Sequence, residues 1–272
     1  MILHPSRRAR LALVALSLAV AAGGCAARPF RLPTGAGTPA ADPAGMFEAA
    51  SAGCRSVRTL QAELAVSGRS GGGKLRGRVI AGFERPSAMR LEAVAPFGPP
   101  VFILVSRAGT ASLLLPRENR LLADAAPASV IEALTGVAVT PDDLLAILSG
   151  CGTIRSEAVA ARTYSGDWAA VDMANGATAY LRRRRDGWRV VAGVSGRLGV
   201  EYADEGGALP TIARLRVTDE HGEITTDLKI RLSQVETNRS INPAAFSLRV
   251  PDRAVPLTLD ELRRAGPLGW QR

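Results

Sequence analysis

The sequence predicts a mainly β protein of the α+β class: one curled antiparallel sheet with helices covering its hydrophobic concave face. Three observations carry this. Short stretches of alternating apolar and polar residues recur through most of the chain, as in Gln61–Arg69 and Ala88–Ala95. Glycine-rich turn pairs separate many of them: Asn175-Gly176, Asp186-Gly187 and His221-Gly222 are hairpin chemistry. Helical spacing is found in one stretch before the strands, two in their middle and a short one in the tail.

Met46–Leu60 reads as an amphipathic helix, with Phe47, Ala50, Cys54, Val57 and Leu60 near one face. Gln61–Arg69 follows as a strand, Ser70-Gly71-Gly72-Gly73 as a turn and Lys74–Glu84 as a second strand that Pro86 ends. Ala88–Ala95 is a third strand. Pro96-Phe97-Gly98-Pro99-Pro100 is a turn, because proline fixes φ and glycine admits positive φ. Val101–Arg107, Thr110–Leu115 and Asn119–Asp124 continue the meander. Ala128–Thr135 and Pro141–Leu148 then have helical spacing, the second with Thr140 as N-cap, Pro141 in the first turn, Asp142 and Asp143 beside it, and Gly150 as its stop. Seven strands complete the meander: Glu157–Tyr164, Trp168–Asp172, Thr178–Arg183, Trp188–Val194, Val200–Ala203, Ile212–Asp219 and Thr225–Val235. A tail from Asn242 carries Phe246, Leu248, Pro251 and a short helix near Leu259–Arg264, expected against the sheet rim.

The N-terminus has a different chemistry. Arg7, Arg8 and Arg10 precede an apolar run from Leu11 to Ala22, too short for the ~20 residues of a spanning helix. Basic flank, short apolar run and small residues before a cut site describe an export signal. The run ends Ala22-Gly23-Gly24-Cys25, which resembles the lipobox of bacterial lipoproteins; an ordinary secretory signal with a chance cysteine is the other reading. The lipobox implies residues 1–24 as signal peptide and lipidation of Cys25. Ala26, rather than Asp, after that cysteine favours the outer membrane. Residues 25–44, rich in Pro, Gly, Ala and Thr, read as a tether, residues 45–241 as the folded domain and 242–272 as an extension.

The formal charge is +9, and +6 once Arg7, Arg8 and Arg10 are removed. This excess suits anionic headgroups; arginine-rich coding in a GC-rich genome gives the same number. Cys54 and Cys151 remain after Cys25. In an oxidising periplasm they either form a bridge or stay as two buried thiols.

Catalytic motifs are lacking. His221, in a turn, is the one histidine of the mature chain, so neither a zinc cluster nor a Ser-His pair is supplied. Gly68–Lys74 nearly spells a phosphate-binding loop, but Leu75 stands where Ser or Thr is needed, and the stretch joins two strands. Arg182–Arg185 reads as a solvated hairpin end that blunts a sheet edge; contact with lipid phosphates is the alternative. Carboxylates form no catalytic pair, so no enzyme, metal or cofactor is expected.

The order of motifs from Arg90 to Gly150 is more specific. Pro96-Phe97-Gly98 is followed by two apolar strands and a short one, then Leu134-Thr135-Gly136-Val137, Pro141 and a Leu-rich helix ending at Gly150. This order resembles the LolB-like outer-membrane lipoprotein receptors and the wider LolA/LolB-fold family, over roughly Met46–Val235. The chain differs in its tail from Asn242, in Cys54 and Cys151, and in Pro100. The resemblance implies an unclosed β-barrel whose helices plug a hydrophobic cavity for acyl chains, and insertion of lipoproteins into the outer membrane. It places Phe97 on a membrane- or cargo-contacting turn. The cavity is expected to include Leu91, Ile103, Leu114, Leu134, Leu144 and Leu148. The implied partners are lipoprotein acyl chains or lipid, the membrane through the lipid anchor, and a periplasmic carrier protein. Nucleic acid is not expected, and the expected state is a monomer. The competing reading is a non-enzymatic assembly lipoprotein that uses the same fold to bind a protein, its cavity filled by side chains.

Overall fold

The computed structural model describes residues 32–152, 156–203, 207 and 209–265. The signal peptide, Cys25 and the first part of the tether lie outside them. No helix among the described residues is long and apolar enough to cross a membrane.

Residues from Pro33 onward belong to one compact unit. A two-residue strand, β1 (Thr38–Pro39), precedes helix α1 (Pro43–Arg55). Six strands follow: β2 (Thr59–Ser70), β3 (Gly73–Glu84), β4 (Ala88–Val94), β5 (Ile103–Arg107), β6 (Thr110–Leu115) and β7 (Arg120–Ala125). Helices α2 (Pro127–Thr135) and α3 (Pro141–Ser149) come next. The second run is β8 (Ala158–Tyr164), β9 (Trp168–Met173), β10 (Thr178–Arg184), β11 (Gly187–Ser195), β12 (Leu198–Ala203), β13 (Ile212–Thr218) and β14 (Ile224–Thr237). The tail forms a 3-10 turn at Pro243–Phe246, β15 (Val255–Pro256) and α4 (Leu259–Ala265).

All strands join one sheet in the order β1-β8-β9-β10-β11-β12-β13-β14-β2-β3-β4-β5-β6-β7-β15. The long β2–β14 pair welds the two meanders, and β1 and β15 are separate edges, so the sheet is curled but unclosed. Every pairing is antiparallel except β15 with β7.

Local chemistry fixes the helices. Asp42 accepts from the Gly45 N–H at 2.8 Å and Pro43 opens the first turn, so α1 begins three residues before the apolar periodicity does. It also ends earlier than expected, at Arg55: Val57 and Leu60 are buried in the main core, and Leu60 already pairs with Phe83 on β3. The β-branched Val57 and Thr59 favour the extended chain. α3 follows the sequence reading closely, with a reciprocal capping box between Thr140 and Asp143 and Gly150 in the left-handed region. The tail is more than a rim attachment. Ile241 and Phe246 pack with Val105 on the outer face, while Leu257 and Leu262 enter the main core. At α4, Glu261 bonds the Thr258 backbone and Arg120, which holds its carboxyl down at about 2.

Two cores result. The larger joins the inner faces of β2–β7 and β12–β14 to α2, α3 and α4. The smaller sets Phe47 of α1 against Ala161, Ala169, Val171, Ala177, Ala179 and Leu181. Small alanine side chains let that helix approach the strands closely. Cys54 on α1 and Cys151 beyond α3 link the two, joined as a disulfide with Cα atoms 5.5 Å apart. On the outer face, Arg214 of β13 bonds Asp227 of β14 and holds its carboxyl below the usual carboxylate range.

Candidate functional site

The candidate site is an apolar cavity between the concave face and the helices. Strand alternation supplies its floor: Leu64 and Val66 of β2, Leu75 and Val79 of β3, Leu91 of β4, Leu104 of β5, and Leu215, Leu228 and Ile230 across β13 and β14. Phe102 adds the one aromatic ring of the wall. The roof is Ile131, Leu134 and Thr135 of α2, the connector residues Val137 and Val139, and Leu144 of α3. Among the described residues Thr135 is the one hydroxyl in this wall, and its Oγ1 donates back to the Ile131 carbonyl at 2.7 Å. No wall side chain is left to recognise a polar ligand. The enclosed space is about 70 Å³, against ~300 Å³ for the smallest ordinary ligand pockets.

Three of the six expected lining residues, Leu91, Leu134 and Leu144, stand in this wall. Leu148 is fully buried in the main core but does not reach the cavity. Ile103 and Leu114 face the other way: they pair with each other across β5 and β6, while Leu104 and Leu113 point inward. The cause is a strand apolar on both sides. The tail covers the outer face of β5, where Ile103 packs beside Val105, Ile241 and Phe246. Alternation alone then cannot say which set faces in. Leu64, Val66, Leu75 and Val79 were legible as strand residues, although nothing local marks them as cavity wall.

The roof is fastened unevenly. α3 is held at its start by Arg85, which donates to Asp142 at 2.5 Å and to the Val57 carbonyl at 2.9 Å. Its far end is held by the disulfide and by the buried Tyr202 hydroxyl, which accepts from the Gly152 N–H at 2.8 Å. α2 has no side-chain N-cap bond. At its end, Gly136 sits at φ 74° against Ser70 and Thr226; a Cβ there would lie 2.1 Å from the Ser70 hydroxyl oxygen. That close seat needs glycine.

Phe97 lies apart from the cavity, at the tip of the turn between β4 and β5, and is 89% exposed. Backbone bonds close the base of this turn, Val101 N–H to the Ala93 carbonyl and Ala93 N–H to the Phe102 carbonyl. Gly98 takes φ 76°. Arg117, from the β6–β7 turn, donates to the Phe97 carbonyl at 2.8 Å and to the Pro99 carbonyl at 3.2 Å. An arginine twenty residues away was not recognisable as the brace from sequence. Because the ring touches no core, Phe97→Glu is expected to leave the melting temperature within about 2 °C, since surface changes stay within ~0.5 kcal/mol. A loss of several degrees in a thermal scan would contradict this exposure.

No protein-family model matches the sequence, and no curated protein matches it. Similarity appears at the level of solved structures. A LolA superfamily protein from Nitrosomonas europaea aligns over 75% of this chain and 96% of its own, with TM-score 0.49 and 10% identity. A domain from Vibrio parahaemolyticus, described as an outer membrane lipoprotein-sorting protein, aligns over 75% and 97%, with TM-score 0.46 and 10% identity. Lipoprotein LppX of Mycobacterium tuberculosis aligns over 74% and 97%, with TM-score 0.30 and 10% identity. Such distant likenesses leave the functional reading to rest on the cavity and on the chain's own chemistry.

Proposed function

We propose that this chain is an outer-membrane-anchored lipoprotein, facing the periplasm, that binds acyl chains of lipoproteins or lipids and helps insert them into the outer membrane. The carrying observation is the cavity wall, apolar apart from a self-satisfied threonine. An apolar enclosure of this kind stays dry, so a hydrocarbon chain is the ligand that gains most from entering. No covalent step is required of it.

Entry needs the enclosure to widen, because about 70 Å³ holds only a fragment of a chain. α2, whose start lacks a side-chain cap, is the cover that gives way, with α3 staying pinned by Asp142 and Cys151. Phe97 on its braced turn then serves as the contact with membrane or cargo, and a periplasmic carrier is the source from which cargo arrives. The small volume also favours a second reading, in which the fold is an assembly lipoprotein that binds a protein partner and admits no lipid. Native mass spectrometry of the purified protein separates the two. A co-purifying acyl lipid in stoichiometric amount is expected; protein free of lipid after extraction from cells supports the assembly reading.

The anchor is tested independently. Cys25→Ser is expected to abolish labelling by radioactive palmitate and to release the protein from the membrane fraction. One acyl chain anchors marginally and two or three almost permanently, so the change should be near complete. A variant that stays processed and membrane-bound would refute lipidation at Cys25.

A further inference from the structure

The arginine run sits at a defined place in the sheet. β10 and β11 turn at Arg184–Gly187, and β8 and β9 turn beside them, with Arg182 opposite Trp168 and Arg183 opposite Trp188. The Arg182 guanidinium lies over the Trp168 ring at 5.2 Å, and that of Arg183 over Trp188 at 5.5 Å. Stacking uses the flat face of a guanidinium and leaves its N–H edge available to oxygen acceptors. Arg183, Arg184 and Arg185 are exposed. The acidic residues among the described ones at these two turns are Asp167 and Asp186, and Asp186 is bonded to Arg189. Among the described residues, positive charge therefore predominates at these two turns, beside two partly buried tryptophans.

The chain enters the fold at the same rim. β1 pairs Thr38 with Thr163 on β8, and the Tyr164 hydroxyl donates to the Gly35 carbonyl. Tyr164 faces Trp168 across the β8–β9 hairpin. Ten peptide links separate Cys25 from Gly35, so the cysteine lies at most ~35 Å from this rim along the chain.

We propose that this arginine–tryptophan rim binds the anionic phospholipid headgroups of the membrane to which the chain is tethered, and so fixes which end of the sheet faces the bilayer. The assignment of a nearby membrane rests on lipidation of Cys25. The recognition rests on the rim itself: guanidinium edges bond phosphate oxygens, and tryptophan prefers the depth of the headgroups. By strand register, the Phe97 turn and the β2–β3 turn lie on the opposite rim of the sheet, so with the arginine rim on the anchoring bilayer Phe97 is left to meet cargo rather than that membrane.

The test uses the chain without its export segment and with Cys25→Ser, so that no acyl chain tethers it. It is floated with vesicles of phosphatidylcholine alone or with added phosphatidylglycerol. Binding is expected to the anionic vesicles alone and to vanish at high salt, where charges are screened. R183Q/R184Q/R185Q should weaken it on the order of a hundredfold, while R69Q/R76Q on the opposite rim and F97E should not. Equal binding of the triple variant and its parent, or equal binding to neutral vesicles, would overturn the proposal. Should the triple variant fail to fold, tryptophan emission of the parent decides: a blue shift with anionic vesicles is expected, and no shift counts against the rim. The assay contains no lipidated protein, so its outcome is independent of palmitate labelling at Cys25.

Discussion

Replacing both cysteines, Cys54→Ala with Cys151→Ala, is expected to lower stability by ~4–5 kcal/mol, the chain-entropy value for a closed loop of about a hundred residues. The bridge spans 97 positions, so the unfolded chain loses much freedom when it is closed. For a domain of this size that corresponds to a fall in melting temperature on the order of 10 °C. The loss should also be uneven. α1 packs on β8 and β11, and its Phe47 meets a patch rich in alanines, which offer little apolar area each. Without the bridge, the smaller core keeps only Phe47, Val171, Met173 and Leu181 as large buried side chains, while the larger core keeps α2, α3 and α4. Hydrogen exchange should therefore show β8–β10 and α1 opening before β2–β4. Thiol labelling of the unreduced, denatured parent is expected to find no free cysteine. Two labelled thiols, or an unchanged melting temperature in the double variant, would refute the bridge.

Much of this architecture was legible because local chemistry and global fold agree. Strands β6, β9 and β13 are where alternation put them within a residue or two, and α3 carries its cap, its proline and its terminal glycine in sequence order. Failures fall where a distant segment decides. The outer face of β5 is apolar because Ile241 and Phe246 cover it, so Ile103 was read as facing inward. Leu60 continued the helical spacing of α1 by coincidence; its pairing with Phe83 is a long-range fact. Arg117 and Arg85 are ordinary surface arginines in sequence, and become braces only once β6–β7 and α3 are placed. The pairing that closes a site is non-local, whereas the pattern that forms a strand is local.

Filling the cavity should separate the carrier from the assembly reading most sharply. Val79 on the floor and Val137 in the roof connector both line it, and Val79→Phe with Val137→Phe places two rings into about 70 Å³. Overpacking costs ~1–3 kcal/mol per substitution, so the pair costs about as much as removal of the bridge, and the variant is expected to fold with Cys54 and Cys151 still joined. Its effect on binding should be far larger. Burying ten methylenes of an acyl chain contributes ~8 kcal/mol, which corresponds to a dissociation constant near ~1 μM before ordering costs. Rings that occupy the cavity remove that term almost entirely, and with it any co-purifying lipid. Leu134→Ala is the counterpart. It costs ~2–5 kcal/mol by the cavity it leaves, but it widens the roof at α2 and should retain lipid, or take up more. Measured together by native mass spectrometry and a thermal scan, the carrier reading requires lipid loss without unfolding in the first variant and lipid retention despite destabilisation in the second. If both variants bind as the parent does, the acyl chain is not held between this sheet and its helices. If the parent carries no lipid and the filled variant still supports growth of cells that depend on the protein, the fold acts as an assembly surface instead.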